Sequence, residues 1–499
     1  MKTNQTKLTQ ILTSLTLTVL CGMVTIRASG EIVEKLADFA VGSSVNTGYG
    51  YGPSTPYTKF SLIGSNLWFT TSAGGANGLG GVFYFDPSSS NVVQVVPGVN
   101  PSYLDNNSGT APWASTIVVA NGLGWFTTST KGAGNKGSIC SIDLISGAVN
   151  NVYSFSTNSA YGQSPHSTPI QIGQELWFTC SAGGAGGSTF GTVSKYNLTN
   201  GTVTDVFGLT GTNGLYPGRQ PLGSSLVPAG SNTYYFLTFA GGTNVNSSYP
   251  NGAGTLQRVS FDGAGNPTLT KVADMSGYLG FPGGDPVYDG TNYLYFGTTG
   301  ANATPGGIGR YDIRSNLLTS IYNFVSNAVS ATNFGKQVYT SPVFYKNKLY
   351  FPTFTGGTQN KGALDVLDLT SNIVTKLADL EGSTGLALGG QSQYCGGTIY
   401  TNPVTGSVGV YFPLTKGGVN NVGSIVRVVI PPPPIVAKYS PNNSGNLSWV
   451  GGYGPFNVDY STDLQSGWTT NWVSGLLTNS IVVPPTNTTG YFRVSGAIE

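Results

Sequence analysis

Along this chain, short apolar runs give way to polar turn residues and return in a repeating order. One segment appears seven times: LWFTTSAGG from Leu67, GWFTTSTKG from Gly124, LWFTCSAGG from Leu176, YYFLTFAGG from Tyr234, LYFGTTGAN from Leu294, LYFPTFTGG from Leu349 and VYFPLTKGG from Val410. Each copy is an aromatic pair, a Thr-rich extended stretch and a glycine turn. Runs of this length, rich in Thr, Tyr and Phe and bounded by Gly, Asn and Ser, predict strands rather than helices. A second strand follows each glycine run: GGVFYFD from Gly80, SICSIDL from Ser138, TVSKYNL from Thr192, TLQRVSF from Thr255, GIGRYDI from Gly307, ALDVLDL from Ala363 and SIVRVVI from Ser424. Most close on Asp or Asn, whose side chains bond the local backbone in turns. A third strand comes next in six copies, as in TLTKVADM near Thr268 and IVTKLADL near Thr375. The seventh copy runs instead into Pro431–Pro434.

The strand missing from the seventh copy matches the segment EIVEKLADF, which starts at Glu31. That segment is expected to supply the outer strand of the last copy. A fourth, inner strand precedes each aromatic pair, with Pro56, Pro112, Pro169, Pro221, Pro286 and Pro342 near its start; in the seventh copy it is placed near Cys395 to Tyr400. Four strands in each of seven copies predict an all-β, seven-bladed β-propeller closed by its N-terminal strand. A single small sheet cannot bury both faces, but neighbouring blades cover one another. Joining both chain ends in one blade removes a seam that would otherwise fray. A linear solenoid would need capping repeats and leaves the match at Glu31 unexplained.

The pattern LWFTTSAGGANGLGGVFYFD, with Gly-Gly after the aromatic strand, resembles the GloVer tandem-repeat proteins, which are secreted bacterial β-propellers. The resemblance covers residues 31–430, with Trp-Phe or Tyr-Phe where that family usually carries Leu-Tyr-Gly. It implies a secreted propeller and brings no reaction and no catalytic residues. Pro431–Pro434 is expected to be a stiff linker. Residues 435–499 hold Trp449, Trp468 and Trp472 and the strand-like segments NLSWV, FNVDYST, TTNWVS, NSIVVPP and GYFRVS, which predict a small β-sandwich. This module resembles those that end secreted proteins of verrucomicrobial type, where a closing Phe-Tyr-Arg-like triplet recurs. Tyr491, Phe492 and Arg493 take that place here.

Composition sharpens the setting. Lys2 and Lys7, the apolar stretch Leu8 to Val24 and the small residues Ala28, Ser29 and Gly30 predict a signal peptide over residues 1–30, hence a secreted or cell-surface protein with no transmembrane segment once cleaved. Charged residues make up only 8% of the chain, and 73 of 499 residues are glycine. Removing Lys2, Lys7 and Arg27 from the 22 basic residues leaves 19 against 20 acidic ones, so no nucleic-acid partner is indicated. Once residues 1–30, which hold Cys21, are removed, Cys140, Cys180 and Cys395 remain, too few and odd in number for a disulfide framework, and are expected to be buried thiols. No His, Cys or carboxylate cluster has metal-ligand spacing, so no metal or other cofactor is expected.

Candidate chemistry is sparse. The glycine runs carry Lys131, Lys136, Lys361 and Lys416 and no Asp or Glu, which suggests either a weakly cationic face or solubilising lysines on a rim. The loops from outer to inner strand share an aromatic–Gly–polar–Pro form. They offer Tyr161, Tyr216, Gln220, Gln391 and Gln393 as ligand contacts. They also hold His166, Arg219 and Asp285, three candidates for acid–base chemistry if they converge. His166 is the one histidine of the chain. The bland reading has each of these groups satisfying loop backbone. The favoured function is a monomeric extracellular protein that binds a glycan or a surface protein. A polysaccharide lyase or hydrolase and a structural envelope protein are the alternatives.

Overall fold

The computed structural model describes residues 31–39, 53–75, 78–94, 104, 109–158, 160–185, 189–300, 304–325, 335–380, 395–418, 420–440, 445–461, 468–483 and 491–496. The signal-like residues 1–30 lie outside them, as do Gln391 and Gln393. The fold is all-β, with one short 3-10 turn at Gly277–Leu279. Among the described residues no helix is long and apolar enough to cross a membrane.

Among the described residues seven antiparallel sheets share one strand order, the third with an added strand, Gly162–Pro165, beside its second. In the first, Ser61–Ile63, Asn66–Thr71, Gly81–Asp86 and Asn91–Gln94 pair in chain order. The inner strands of the other six are Val118–Ala120, Ile170–Ile172, Val227–Pro228, Val287–Tyr288, Val343–Tyr345 and Thr398–Thr401. In the seventh sheet the outer strand is Ile32–Asp38, bonded beside Ser424–Ile430. The similarity of EIVEKLADF to the other outer strands therefore reports a shared place in a sheet. The Phe39 N–H donates to Gly423 O (2.9 Å), and the Arg427 guanidinium grips Glu34 at 2.7 and 3.1 Å.

Strands alternate side chains between two faces, so the aromatic pair splits between two neighbours. Phe69, Phe126, Phe178, Phe236, Phe296, Phe351 and Phe412 are all fully buried. Core clusters form between consecutive sheets. Trp68 and Val82 of the first pack with Phe126, Cys140 and Ile142 of the second, and Tyr235 and Leu256 of the fourth with Phe296 and Tyr311 of the fifth. Phe39 stacks on Phe69 at 5.7 Å, joining seventh sheet to first. Each such side chain contributes roughly 1.5–3 kcal/mol by leaving water. Cys140, Cys180 and Cys395 are buried thiols that form no disulfide.

Two local devices recur. Ahead of six of the seven inner strands a residue takes a left-handed backbone: Thr55, Ala111, Ser164, Gln220, Phe281 and Gln337. In most of these the N–H donates to the glycine turn of the preceding sheet, as from Gln220 to Phe190 O (2.8 Å) and from Phe281 to Ala253 O (2.8 Å). Its carbonyl accepts from its own sheet, as from Phe239 N–H to Gln220 O (2.9 Å). The second device is a proline seated on a left-handed glycine. Pro56, Pro165, Pro221 and Pro282 lie against Gly423, Gly137, Gly191 and Gly254, where a Cβ would meet a carbonyl oxygen. The prolines near the inner strands are thus of two kinds. Pro169, Pro286 and Pro342 directly precede a strand, whereas Pro56, Pro112 and Pro221 belong to the turn before it.

The described residues divide into a large unit, drawn from 33–399 and 410–427, and a small one, drawn from 31–32, 400–409 and 428–499. In the small unit, strands Val436–Ser440, Asn446–Val450 and Ser480–Val482 form one sheet, and Thr469–Leu476, Phe456–Ser461 and Tyr491–Ser495 another. Trp449, Phe456 and Val458 fill the core they share. Arg493 donates twice to Asp459 (2.6 and 2.8 Å) and lies 4.9 Å from the Trp468 ring centre. The closing triplet thereby ties two strands together.

Candidate functional site

The segments entering the inner strands meet in the large unit. Two residues before each inner strand stand Lys59, Thr116, Thr168, Ser225, Asp285, Ser341 and Gly396. Buried backbone N–H groups need acceptors, and short hydroxyl or carboxyl side chains provide them here. Thr116 N–H donates to Thr168 Oγ1 (3.0 Å), Thr168 N–H to Ser225 Oγ (3.0 Å), Ser225 N–H to Asp285 Oδ1, and Asp285 N–H to Ser341 Oγ (2.7 Å). Ser341 N–H continues to Cys395 O (3.0 Å), Gly396 bridges to Lys59, and Ser61 Oγ donates to Thr116 Oγ1 (3.1 Å). These links return to their start. Across the circuit Lys59 Nζ donates to Asp285 Oδ2 at 2.5 Å. The Asp285 side chain is 7% exposed and that of Lys59 32%.

A strip of rings lies beside the circuit. Trp113 stacks on His166 (5.5 Å, 22°) and packs against Tyr57 (5.2 Å, 41°). Ala114 ties this strip down: its N–H donates to Tyr57 O (2.6 Å) and its O accepts from Thr168 Oγ1 (3.1 Å). Trp113 is 36% exposed, so part of its ring meets solvent. Its neighbours keep it in one orientation.

Tyr57, Lys59 and Trp113 were not singled out from the sequence. The signal was available in the register, because Lys59 and Asp285 are the charged members of an otherwise small, mostly hydroxyl-bearing set. The sequence candidates land as follows. Asp285 sits in the circuit, paired with Lys59. His166 is half-buried under Trp113, and burial pushes its imidazole down to about 4. Arg219 lies over the Phe190 ring at 5.6 Å, and its backbone pairs with Ala240. No hydrogen bond, ion pair or ring contact joins His166, Arg219 and Asp285 to one another. Tyr216 packs edge-on against Phe207 (5.3 Å), Gln220 is one of the left-handed turn residues, and Tyr161 is exposed. Lys131, Lys361 and Lys416 are exposed, and Lys136 is half-buried. Although the glycine runs contain no acid, Asp274 and Asp379 reach them from the outer strands. They accept from Thr243 and Thr358 while holding Lys271 and Lys376.

One buried acid stands apart. Asp365 is fully buried, accepts from Gly335 N–H (3.1 Å) through one oxygen, and has no partner on the other. Burial pushes its carboxyl up to about 7, against the lowering effects of the Gly335 N–H and Lys376; Asp379 adds a smaller upward push. A folded pKa above the ordinary 3.8 favours the protonated native state, so this contribution is full below pH 3.8 and is lost as pH rises through about 7. His166 acts oppositely, since its lowered value removes stability as pH falls from 6.5 towards about 4. The expected result is that Asp365→Asn gains stability relative to the unaltered protein as pH rises from about 5 to about 8. Thermal midpoints across that range check it, and a constant offset would refute the assignment.

Neither a protein-family model nor a curated protein matches this chain. Solved structures with some likeness include a puromycin-hydrolyzing peptidase of Mycobacterium tuberculosis, at 10% identity and a TM-score of 0.35. That match covers 78% of this chain and 62% of the peptidase. TolB from Acinetobacter baumannii matches at 10% identity and a TM-score of 0.31, covering 74% of this chain and 78% of TolB. A putative 6-phosphogluconolactonase from Bacteroides uniformis matches at 11% and 0.42, covering 73% and 97%. The fold and site define an all-β protein of repeated antiparallel sheets whose inner-strand entries are joined by a run of hydrogen bonds.

Proposed function

We propose that this is a secreted seven-bladed β-propeller, closed by its N-terminal strand, that binds a glycan at the aromatic strip beside its axis. The propeller reading is supported by seven sheets of one strand order, by core clusters between neighbours, and by a circuit of links that returns to its first member. Secretion rests on the N-terminal sequence and on the GloVer-like repeat. The binding reading rests on one observation, the oriented and exposed ring of Trp113 between His166 and Tyr57. The exposed part of the indole, beyond its contacts with His166 and Tyr57, offers apolar area that packs against the C–H groups of a pyranose.

Acid–base catalysis draws less support from the same geometry. His166 carries a ring on its face, and Asp285 is bound to Lys59 and to Ser225 N–H. The test is retention of the secreted protein on immobilised polysaccharides. Trp113→Ala is expected to lose at least about tenfold in affinity for a retained polymer, the scale found for a central aromatic contact. Unchanged retention of that variant would remove the strip as the binding site.

A further inference from the structure

The charge arrangement beside the strip points to the kind of sugar it takes, an inference that rests on the glycan reading above. Lys59 Nζ has three N–H groups and donates one of them, to Asp285. Each Asp285 oxygen accepts one bond and keeps further lone-pair capacity. Ser225 Oγ and Ser341 Oγ each accept a backbone N–H and keep their own O–H to donate. The pair is reached by solvent on the Lys59 side, at 32% exposure. The Lys59–Asp285 pair and its serines therefore offer both donors and acceptors while the pair's own charges cancel.

We infer that the ligand is a neutral, hydroxyl-rich sugar, packed against the exposed part of Trp113 with a hydroxyl bridging Lys59 and Asp285. A sugar hydroxyl both accepts and donates, so it takes a Lys59 N–H and gives its own hydrogen to Asp285. Bonds to charged groups are the stronger kind. A uronic acid would bring its carboxylate against Asp285, a like-charge contact in a partly desolvated place. The exposed lysines stand on glycine turns instead, and they add only screened, non-specific attraction for a polyanion.

The experiment measures binding of the full secreted chain to hexasaccharides of glucose, mannose or xylose, and to oligomers of galacturonic or guluronic acid. Salt is varied from about 50 to about 500 mM, a range over which the screening length falls severalfold. A neutral hexasaccharide is expected to bind with nearly salt-independent affinity. The double variant Lys59→Met/Asp285→Asn is expected to lose about tenfold of that affinity, the worth of a hydrogen bond to a charged group. Its denaturation midpoint is recorded alongside, and Lys59→Arg serves as the folded comparison should the double variant be unstable. Arg keeps a charged donor with different geometry, and it is expected to weaken binding less. Preference for the uronic acids with strong salt dependence would overturn the inference, and so would full affinity in the folded double variant. Binding of neutral sugars that ignores Trp113→Ala would instead overturn the site itself.

Discussion

Asp285→Ala is expected to lower the unfolding free energy by about 3 kcal/mol, the lower end of the cost of removing one partner of a buried ion pair. Two losses combine. Ser225 N–H, in a residue 4% exposed, is left without its acceptor. Lys59 loses its carboxylate, although its partial exposure lets the ammonium turn to water and limits that part of the cost. Asp285→Asn keeps an oxygen for Ser225 and is expected to cost clearly less than the alanine change. Removing both charges, as in Lys59→Met/Asp285→Asn, is expected to recover part of the loss, because no charge is left unpaired. Urea midpoints at constant slope measure all three. If the alanine variant unfolds at the same urea concentration as the parent, the pair contributes nothing to holding the circuit.

The second large effect is expected where the leading strand joins the seventh sheet. Phe39→Ala is predicted to cost about 3–5 kcal/mol, as for other buried aromatic truncations. Phe39 is 1% exposed and stacked on Phe69, while its backbone bonds Gly423 and Asn420 on the neighbouring turn. The ring thus holds the leading strand to the first sheet while the backbone holds it to the seventh. A single shifted transition means that this strand unfolds with the rest of the large unit. An unchanged midpoint would mean that Ile32–Asp38 frays on its own and that ring closure by this strand is not a source of stability.

Much of this architecture could be read along the chain because its causes are local. The aromatic-pair strands and their glycine turns recur in composition, and period-two alternation needs no knowledge of neighbours. The leading segment announced its place by resembling strands such as Ile373–Asp379. Other features left no compositional mark. The left-handed turn is occupied by Thr55, Ala111, Ser164, Gln220, Phe281 and Gln337, residues with nothing in common. Their conformation is set by bonds to the preceding sheet. The prolines were visible, yet only the structure separates those that directly precede a strand from those in the turn before it, two of which, Pro56 and Pro221, pack on Gly423 and Gly191.

The candidate site divides the same way. His166 and Asp285 drew notice as rare residue types, and the structure gives each a different partner from the one sought. His166 goes to Trp113, which is 53 positions earlier, and Asp285 goes to Lys59, 226 positions away. Sequence alone determined the strands, their number per repeat and the borrowing of the first by the last, since each depends on periodicity and on nearby turns. Tertiary structure alone decided which side chains meet beside the circuit. That choice depends on bringing seven distant segments together, and pairing across such separations follows from packing between sheets rather than from any local preference of the chain.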